Sequence, residues 1–297
     1  MSTDDKLVSV YMNTDYVLAR LARYDEELEV LERARAMLEA QEANGELHDH
    51  SDLAKVYANI AFALNNLNRY EEAVAMDKRA LLVWKSMETA GQKYDRSEHA
   101  NVCLNTSGVL MALGRNEEAL EMARCARTIL ETLDANGELH DRNELANVYL
   151  RIGIILRNLD RYDEALEMLE KTLDIQEALD ETGELHNRNE LARTYFLAGT
   201  LYQDQCSFSE ALSAYMATSE ILNELDESGL AYNHDLLDYA VENGNEIMRF
   251  LVMNGAFSSE TDGEKIDWDH VEFLFPGQSL DGLLDPTEEQ DDDSESK

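Results

Sequence analysis

The sequence predicts an all-α solenoid of five helical hairpins followed by a C-terminal capping helix, and three observations carry that prediction. Segments of one pattern recur every 46 residues: Tyr24-Asp-Glu-Glu-Leu-Glu, Tyr70-Glu-Glu-Ala-Val-Ala, Asn116-Glu-Glu-Ala-Leu-Glu, Tyr162-Asp-Glu-Ala-Leu-Glu and Phe208-Ser-Glu-Ala-Leu-Ser. Gly45, Gly91, Gly137, Gly183 and Gly229 form a second ladder in the same register, and chance does not place two independent ladders together over five units. The only prolines are Pro276 and Pro286, so nothing before them lacks a backbone donor or clashes with a preceding helical turn.

Each unit reads as helix A, tight turn, helix B, loop. In the fourth unit Leu145, Tyr149, Ile152, Gly153 and Leu156 recur at three- and four-residue intervals, which marks one apolar face of helix A. That helix ends near Asn158-Leu-Asp-Arg161, and Ala165, Leu166, Leu169, Leu173 and Ile175 mark helix B. Gly183 stands where a left-handed C-cap is wanted, since glycine takes positive φ without a Cβ clash. The loop 184–189 then leads to the next helix A, with Asn189 as its expected N-cap. After the fifth hairpin, Leu236, Leu237, Tyr239, Ala240, Ile247, Met248 and Leu251 outline a last helix that covers the open apolar end of the stack. The expected solenoid with its cap is 1–253; 254–297 is expected to be an acidic tail with a short aromatic segment at 266–275.

The residues Tyr149, Ile152-Gly153, Leu156, Tyr162, Ala165 and Leu169 resemble the tetratricopeptide repeat: a bulky residue, an apolar-small pair, an aromatic at the turn, and small residues where the two helices touch. Equivalent small residues are Ala61, Ser107 and Gly199 in helix A, and Ala73, Ala119 and Ala211 in helix B. The resemblance covers roughly Val8 to Thr218 and implies a right-handed solenoid whose A helices line a concave surface. The unit exceeds the family's 34 residues by twelve and lacks the proline that usually ends helix B, so helix B and the following loop are expected to be longer. Such long units are similar to those of kinesin-light-chain-like arrays.

Charge narrows the partners. The chain carries 62 acidic against 25 basic side chains, a formal net charge of −37. Nucleic-acid affinity comes mainly from lysines and arginines that neutralise phosphates, so nucleic acid and anionic membrane surfaces are disfavoured. The N-terminal segment has no basic stretch followed by an apolar run, and no uncharged stretch is long enough to span a bilayer; neither a signal peptide nor a membrane span is expected. Cys103, Cys125 and Cys206 are odd in number and far apart in sequence, which argues against a disulfide framework and fits a reducing cytoplasm. Each is read as a small core residue, and no Cys/His cluster of zinc-site spacing is visible.

Aligning the A helices across the units gives three outward columns: Asn13, Asn59, Asn105, Arg151, Leu197; Ser9, Lys55, Asn101, Asn147, Arg193; and Asn65, Met111, Arg157, Gln203. The inferred groove is rich in amides and arginines and almost free of carboxylates, on a chain that is otherwise strongly acidic. Asparagines offer both a donor and an acceptor to the backbone of an extended peptide, and Arg151, Arg157 and Arg193 offer planar forks to carboxylates. The candidate binding residues are therefore Asn13, Asn59, Asn65, Asn101, Asn105, Asn147, Arg151, Arg157 and Arg193, and the expected partner is a protein or peptide bearing acidic residues. Within the resemblance, Asn105 and Arg151 match two roles of the carboxylate-clamp proteins. Ala58, Phe62 and Asn147 do not fit the others, so a clamp is not expected.

The tail offers an internal ligand. Trp268 between Asp267 and Asp269, and Leu274-Phe275-Pro276, resemble the tryptophan-acidic and Leu-Phe-Pro-acidic peptides accepted by kinesin light chains, and a tethered segment gains effective concentration. Trp268, Phe273, Leu274 and Phe275 are thus candidate autoinhibitory residues. His48, His140 and His186 share one repeat position, with Tyr94 and Tyr232 in the others. Successive repeats lie about 10 Å apart, too far to share an ion, so these residues are read as packing the long loops, and no metal or other cofactor is expected. HExxH, GxxxxGK[ST] and GxSxG are all absent from the sequence, and acidic pairs such as Glu117-Glu118 begin B helices, where they complement the helix dipole. The expectation is a non-enzymatic cytoplasmic scaffold or adaptor; the alternative is a regulatory or sensor subunit gated by its own tail.

Overall fold

The computed structural model describes residues 3–47 and 49–253, with side chains from Lys6 to Leu251. The described residues form eleven α-helices and no strands. Five hairpins follow one another: α1 Thr3–Arg20 with α2 Tyr24–Ala43, α3 Ser51–Asn66 with α4 Tyr70–Thr89, α5 Arg96–Ala112 with α6 Asn116–Ala135, α7 Arg142–Asn158 with α8 Tyr162–Thr182, and α9 Arg188–Asp204 with α10 Phe208–Glu227. Helix α11, His234–Met253, is the expected capping helix. The molecule is an all-α solenoid, and none of its described helices is long and apolar enough to cross a membrane.

Two compact units divide the chain, Met1–Met168 and Leu169–Lys297. In the first, each helix packs on the next from α1 through α7, and α5 also touches α7. Its core is built where the periodicity places it, with Leu31, Leu53, Ile60, Leu110, Leu120, Leu130, Ile152, Ile155 and Leu156 fully buried. In the second unit α10 packs on both α9 and α11. There Ala211, Leu212 and Tyr215 meet Ala240, Ile247 and Met248 of α11, so the capping helix buries the face predicted for it. Tyr239, counted in that face, instead points to solvent: it lies one residue before the buried Ala240, about 100° around the helix.

Both turns of the repeat are closed by a residue in the left-handed region. After each B helix it is glycine: at Gly183, with φ of 73°, the amide donates to Asp180 O at 3.0 Å and Glu184 N donates to Leu179 O at 2.8 Å, a Schellman cap. Between helices A and B the same bonds recur at Ala22, Asn68, Gly114, Asp160 and Cys206, a 46-residue ladder that composition hides because only one of the five is glycine. Cys206 is therefore an exposed turn residue and not a core residue as expected. The next position carries Arg23, Arg69, Arg115 and Arg161, and each guanidinium forks onto the glutamate three residues on. These pairs hold Glu72, Glu118 and Glu164 below the usual carboxylate range, so the acids that open the B helices serve the turn as well as the helix dipole.

Helices α5, α7, α9 and α11 share a further ladder of start signals. Asp95, Asp141, Asn187 and Asn233 accept from backbone amides two or three residues on, at 2.9 to 3.1 Å, and Asp49, one residue before the α3 N-cap His50, accepts from Ser51 N at 2.8 Å. Asn187, and not Asn189 as expected, caps α9. Asn189 lies inside the helix and reaches the following loop, donating from Nδ2 to Ala231 O at 3.1 Å and accepting from Asn233 N at 3.0 Å.

Candidate functional site

A concave pocket of about 430 Å³ opens in the first unit, between helices α3, α5 and α7. It is lined by Asn59 and Asn65 of α3, Asn101 and Asn105 of α5, and Arg151 of α7, five of the nine residues selected from the repeat columns. They converge because the columns keep one face of each A helix while the hairpins stack side by side. Asn59 is held in place, its Nδ2 donating to Asp15 Oδ2 of α1 at 2.7 Å. Arg151 lies against Gly108, where an added Cβ would sit 3.5 Å from Nη1; a side chain larger than alanine would push the guanidinium away.

The other four residues do not line this pocket. Asn13 is exposed on α1, Asn147 is exposed on α7, and Arg157 is half-buried near the end of α7. Arg193, in the second unit, pairs with Glu190 at 3.1 Å. Gln203, from the third column, accepts from Tyr215 Oη at 2.8 Å. Trp268, Phe273, Leu274 and Phe275 lie outside the described residues, as does His48. Of the loop positions, Tyr94 packs against His99 and Tyr232 against His234, as expected of loop packing, whereas His140 and His186 are exposed.

Two features of the pocket depart from the column reading. Carboxylates are present: Glu98 and Asp77 both contribute to the wall. Glu98 sits 3.3 Å from Lys55 Nζ. Asp77 is buried and accepts from Thr106 Oγ1 at 2.9 Å, and its burial pushes its pKa up to about 7, so at neutral pH it is only partly ionised. The wall also has aromatic character. Phe62, 46% exposed, stands edge-on to Tyr24, and Tyr70 donates to Asn68 Oδ1 at 2.8 Å. Phe62 was passed over because it is one apolar residue on an outward face; its neighbours across the turn decide that it borders a cavity.

A second cluster was missed altogether. His99 and Cys103 of α5 and Cys125 of α6 bring their ligand atoms within 4.8 Å of one another, although the cysteines are well separated in sequence. Hydrogen bonds from Cys103 and His99 draw the Cys125 thiol down, while the same contact and burial push Cys103 up.

Helical hairpins repeated every 46 residues and packed one on the next define a helical-repeat protein. Family models described as tetratricopeptide repeat match residues 99–178 and 144–224, and a further one matches 53–87. The chain belongs to the tetratricopeptide repeat family, whose fold serves in general as a scaffold for protein–protein interaction. Among solved structures, BtubC (BKLC) from P. vanneervenii is 19% identical with a TM-score of 0.55, over 78% of this chain and 95% of that one. A putative kinesin light chain of Podosopora anserina with nearly identical repeats is 16% identical with a TM-score of 0.56, over 74% and 97%. The apo form of RapI is 16% identical with a TM-score of 0.58, over 92% of this chain and 64% of RapI. At these identities the likeness is one of fold. No curated protein matches the sequence.

Proposed function

We propose that the first unit holds an extended peptide carrying acidic side chains along Asn59, Asn65, Asn101, Asn105 and Arg151. The observation that carries this reading is the convergence of four amides and one guanidinium on a single concavity. Neighbouring A helices lie about 10 Å apart, and an extended chain rises about 3.3 Å per residue, so one amide per helix meets the peptide about every third residue. Each amide can donate to a peptide carbonyl and accept from a peptide N–H, which reads backbone and leaves the sequence open. Arg151 supplies the selectivity, as a fork for one carboxylate at the end of the row. Phe62 and Tyr70 give an apolar side chain of the peptide somewhere to rest. On this reading the protein is a cytoplasmic scaffold or adaptor.

The test presents the full chain with an array of short extended peptides, acidic and neutral. Acidic peptides are expected to be retained, and Asn105→Ala with Arg151→Ala should weaken retention about tenfold or more, the loss of a charge-assisted bond and a neutral one. Arg193→Ala, outside the pocket, should leave it unchanged. Retention indifferent to the double variant would overturn the assignment.

A further inference from the structure

The repeats supply their own reference for what each position requires, and the third hairpin departs from it at three places. One column of helix A reads Leu7, Leu53, His99, Leu145, Leu191; four residues on, another reads Tyr11, Tyr57, Cys103, Tyr149, Tyr195. Leucine and tyrosine thus stand in every hairpin except the third. The tyrosines join neighbouring helices, since Tyr57, Tyr149 and Tyr195 each donate to a glutamate of the preceding B helix, Glu39, Glu131 and Glu177. Cys103 cannot reach across in this way, and Lys85 stands where its glutamate would be. In helix B the column Arg33, Arg79, Cys125, Lys171, Ala217 carries a cysteine in the third hairpin, with a long basic side chain in the first, second and fourth and an alanine in the fifth. The three departures would be unrelated if each were drift, yet they meet at one point. His99 and Cys103 are one helical turn apart on α5, Cys125 faces them from α6, and all three ligand atoms lie within 4.8 Å of one another.

The surroundings suit a bound ion. Cys103 is fully buried and His99 nearly so, with Cys125 at the half-buried edge that gives access. Trp84, itself fully buried, stacks on the His99 ring at 5.2 Å and 21°, which fixes the plane of the imidazole. Tyr94 Oη lies 3.3 Å from His99 Nδ1, the outer partner that a histidine binding through its other nitrogen usually has. Among the described residues the cluster closes at two sulfurs and one nitrogen, with no carboxylate. Such a donor set rejects Mg²⁺ and Ca²⁺, which take oxygen ligands, and suits soft or borderline ions.

We propose that His99, Cys103 and Cys125 form a binding site for a thiophilic d¹⁰ cation, Zn²⁺ or Cu⁺, inside the third hairpin. Binding would replace the thiol protons with the ion and tie α5 to α6 within the hairpin, whereas the tyrosines of the other hairpins tie helix A to the preceding helix B. Zn²⁺ would complete a tetrahedron with a water on the Cys125 side, whereas Cu⁺ is satisfied by the three protein donors.

The experiment uses the full chain, reduced and stripped of metal under anaerobic conditions. Co²⁺ serves as the optical probe: one equivalent should produce a thiolate-to-cobalt charge-transfer band that Zn²⁺ abolishes. A parallel titration with Cu⁺ against a chromophoric chelator distinguishes the two ions. Cys125→Ser should lower affinity at least tenfold. The double variant His99→Leu, Cys103→Tyr restores the residues of the other hairpins, so it should keep the helical circular dichroism while losing the band. A wild-type chain that gives no band and retains neither ion, variants that bind as well as wild type, or a Cys103–Cys125 disulfide whose reduction uncovers no metal uptake would each overturn the proposal.

Discussion

The contact between helices A and B in the first hairpin differs in kind from the same contact in the hairpins that follow. In the second and third the positions where small residues are expected to meet hold Ala61 and Ala73, and Ser107 and Ala119, all buried. In the first, the equivalent positions hold Asp15 and Glu27, at 5% and 1% exposure. Burial and the neighbouring Asp15 charge raise Glu27 to about 8, and burial also raises Asp15 although Asn59 and Glu27 bond to it. The two carboxyls therefore share a proton where the other hairpins place alanine, serine or glycine. The comparison teaches that this position demands small volume or a self-satisfied pair, and that the pair makes this A–B contact respond to pH in the first hairpin, where the small residues of the others do not.

The largest effect is expected from transplanting half of the pair. Ala73→Glu buries a carboxylate opposite Ala61 with no partner, and a destabilisation of about 3–5 kcal/mol is expected in urea unfolding, the scale of an uncompensated buried charge. Next, the position can be probed by volume alone. At Gly199 an added Cβ would lie 2.9 Å from Tyr215 Cε1, in a ring anchored by its bond to Gln203, so Gly199→Ala should cost about 1–3 kcal/mol. Gly108→Ala meets only ordinary contact with Arg151 and should gain about 0.5–1 kcal/mol from helix propensity, so chemical denaturation of the two variants should give opposite signs.

The pair itself predicts a pH dependence. Glu27 titrates at about 8 in the folded chain against 4.5 for an ordinary glutamate, so the native state holds the extra proton between those values. Its contribution is fully present below about pH 4.5 and is lost as pH rises through 8. Thermal midpoints should therefore fall from pH 5 to pH 8 in the wild type, and Glu27→Ala should flatten that slope. Since Asn59 is bonded to Asp15, the peptide pocket should feel the same titration. A small effect, on the scale of Gly108→Ala, is expected at the A–B turn, where Ala22 occupies a left-handed conformation with φ of 52°; Ala22→Gly should stabilise by about 1 kcal/mol in chemical denaturation.

Much of the fold could be read from the chain. The turn aromatics and glycines repeat every 46 residues because every hairpin meets neighbours of one kind, so helix lengths, the glycine caps and the buried faces followed from periodicity. The ladder Asp49, Asp95, Asp141, Asn187, Asn233 is equally open to that method; Asn189 lies beside the apolar run, but backbone geometry places the α9 cap two residues earlier. For the pocket, the columns supplied Asn59, Asn65, Asn101, Asn105 and Arg151, since one face of a helix is a property of spacing. They could not supply Glu98, Asp77 or Phe62, whose place in the wall depends on the depth and tilt of neighbouring helices.

What the sequence by itself determined is thus the repeated unit and its outward columns, because a 3.6-residue period and a 46-residue period are both written along one dimension. Tertiary structure alone decided which departures from the repeat meet. Asp15 with Glu27, and His99 with Cys103 and Cys125, become pairs and clusters only when helices A and B fold back on each other, and the distance between side chains on different helices is set by packing and not by spacing along the chain.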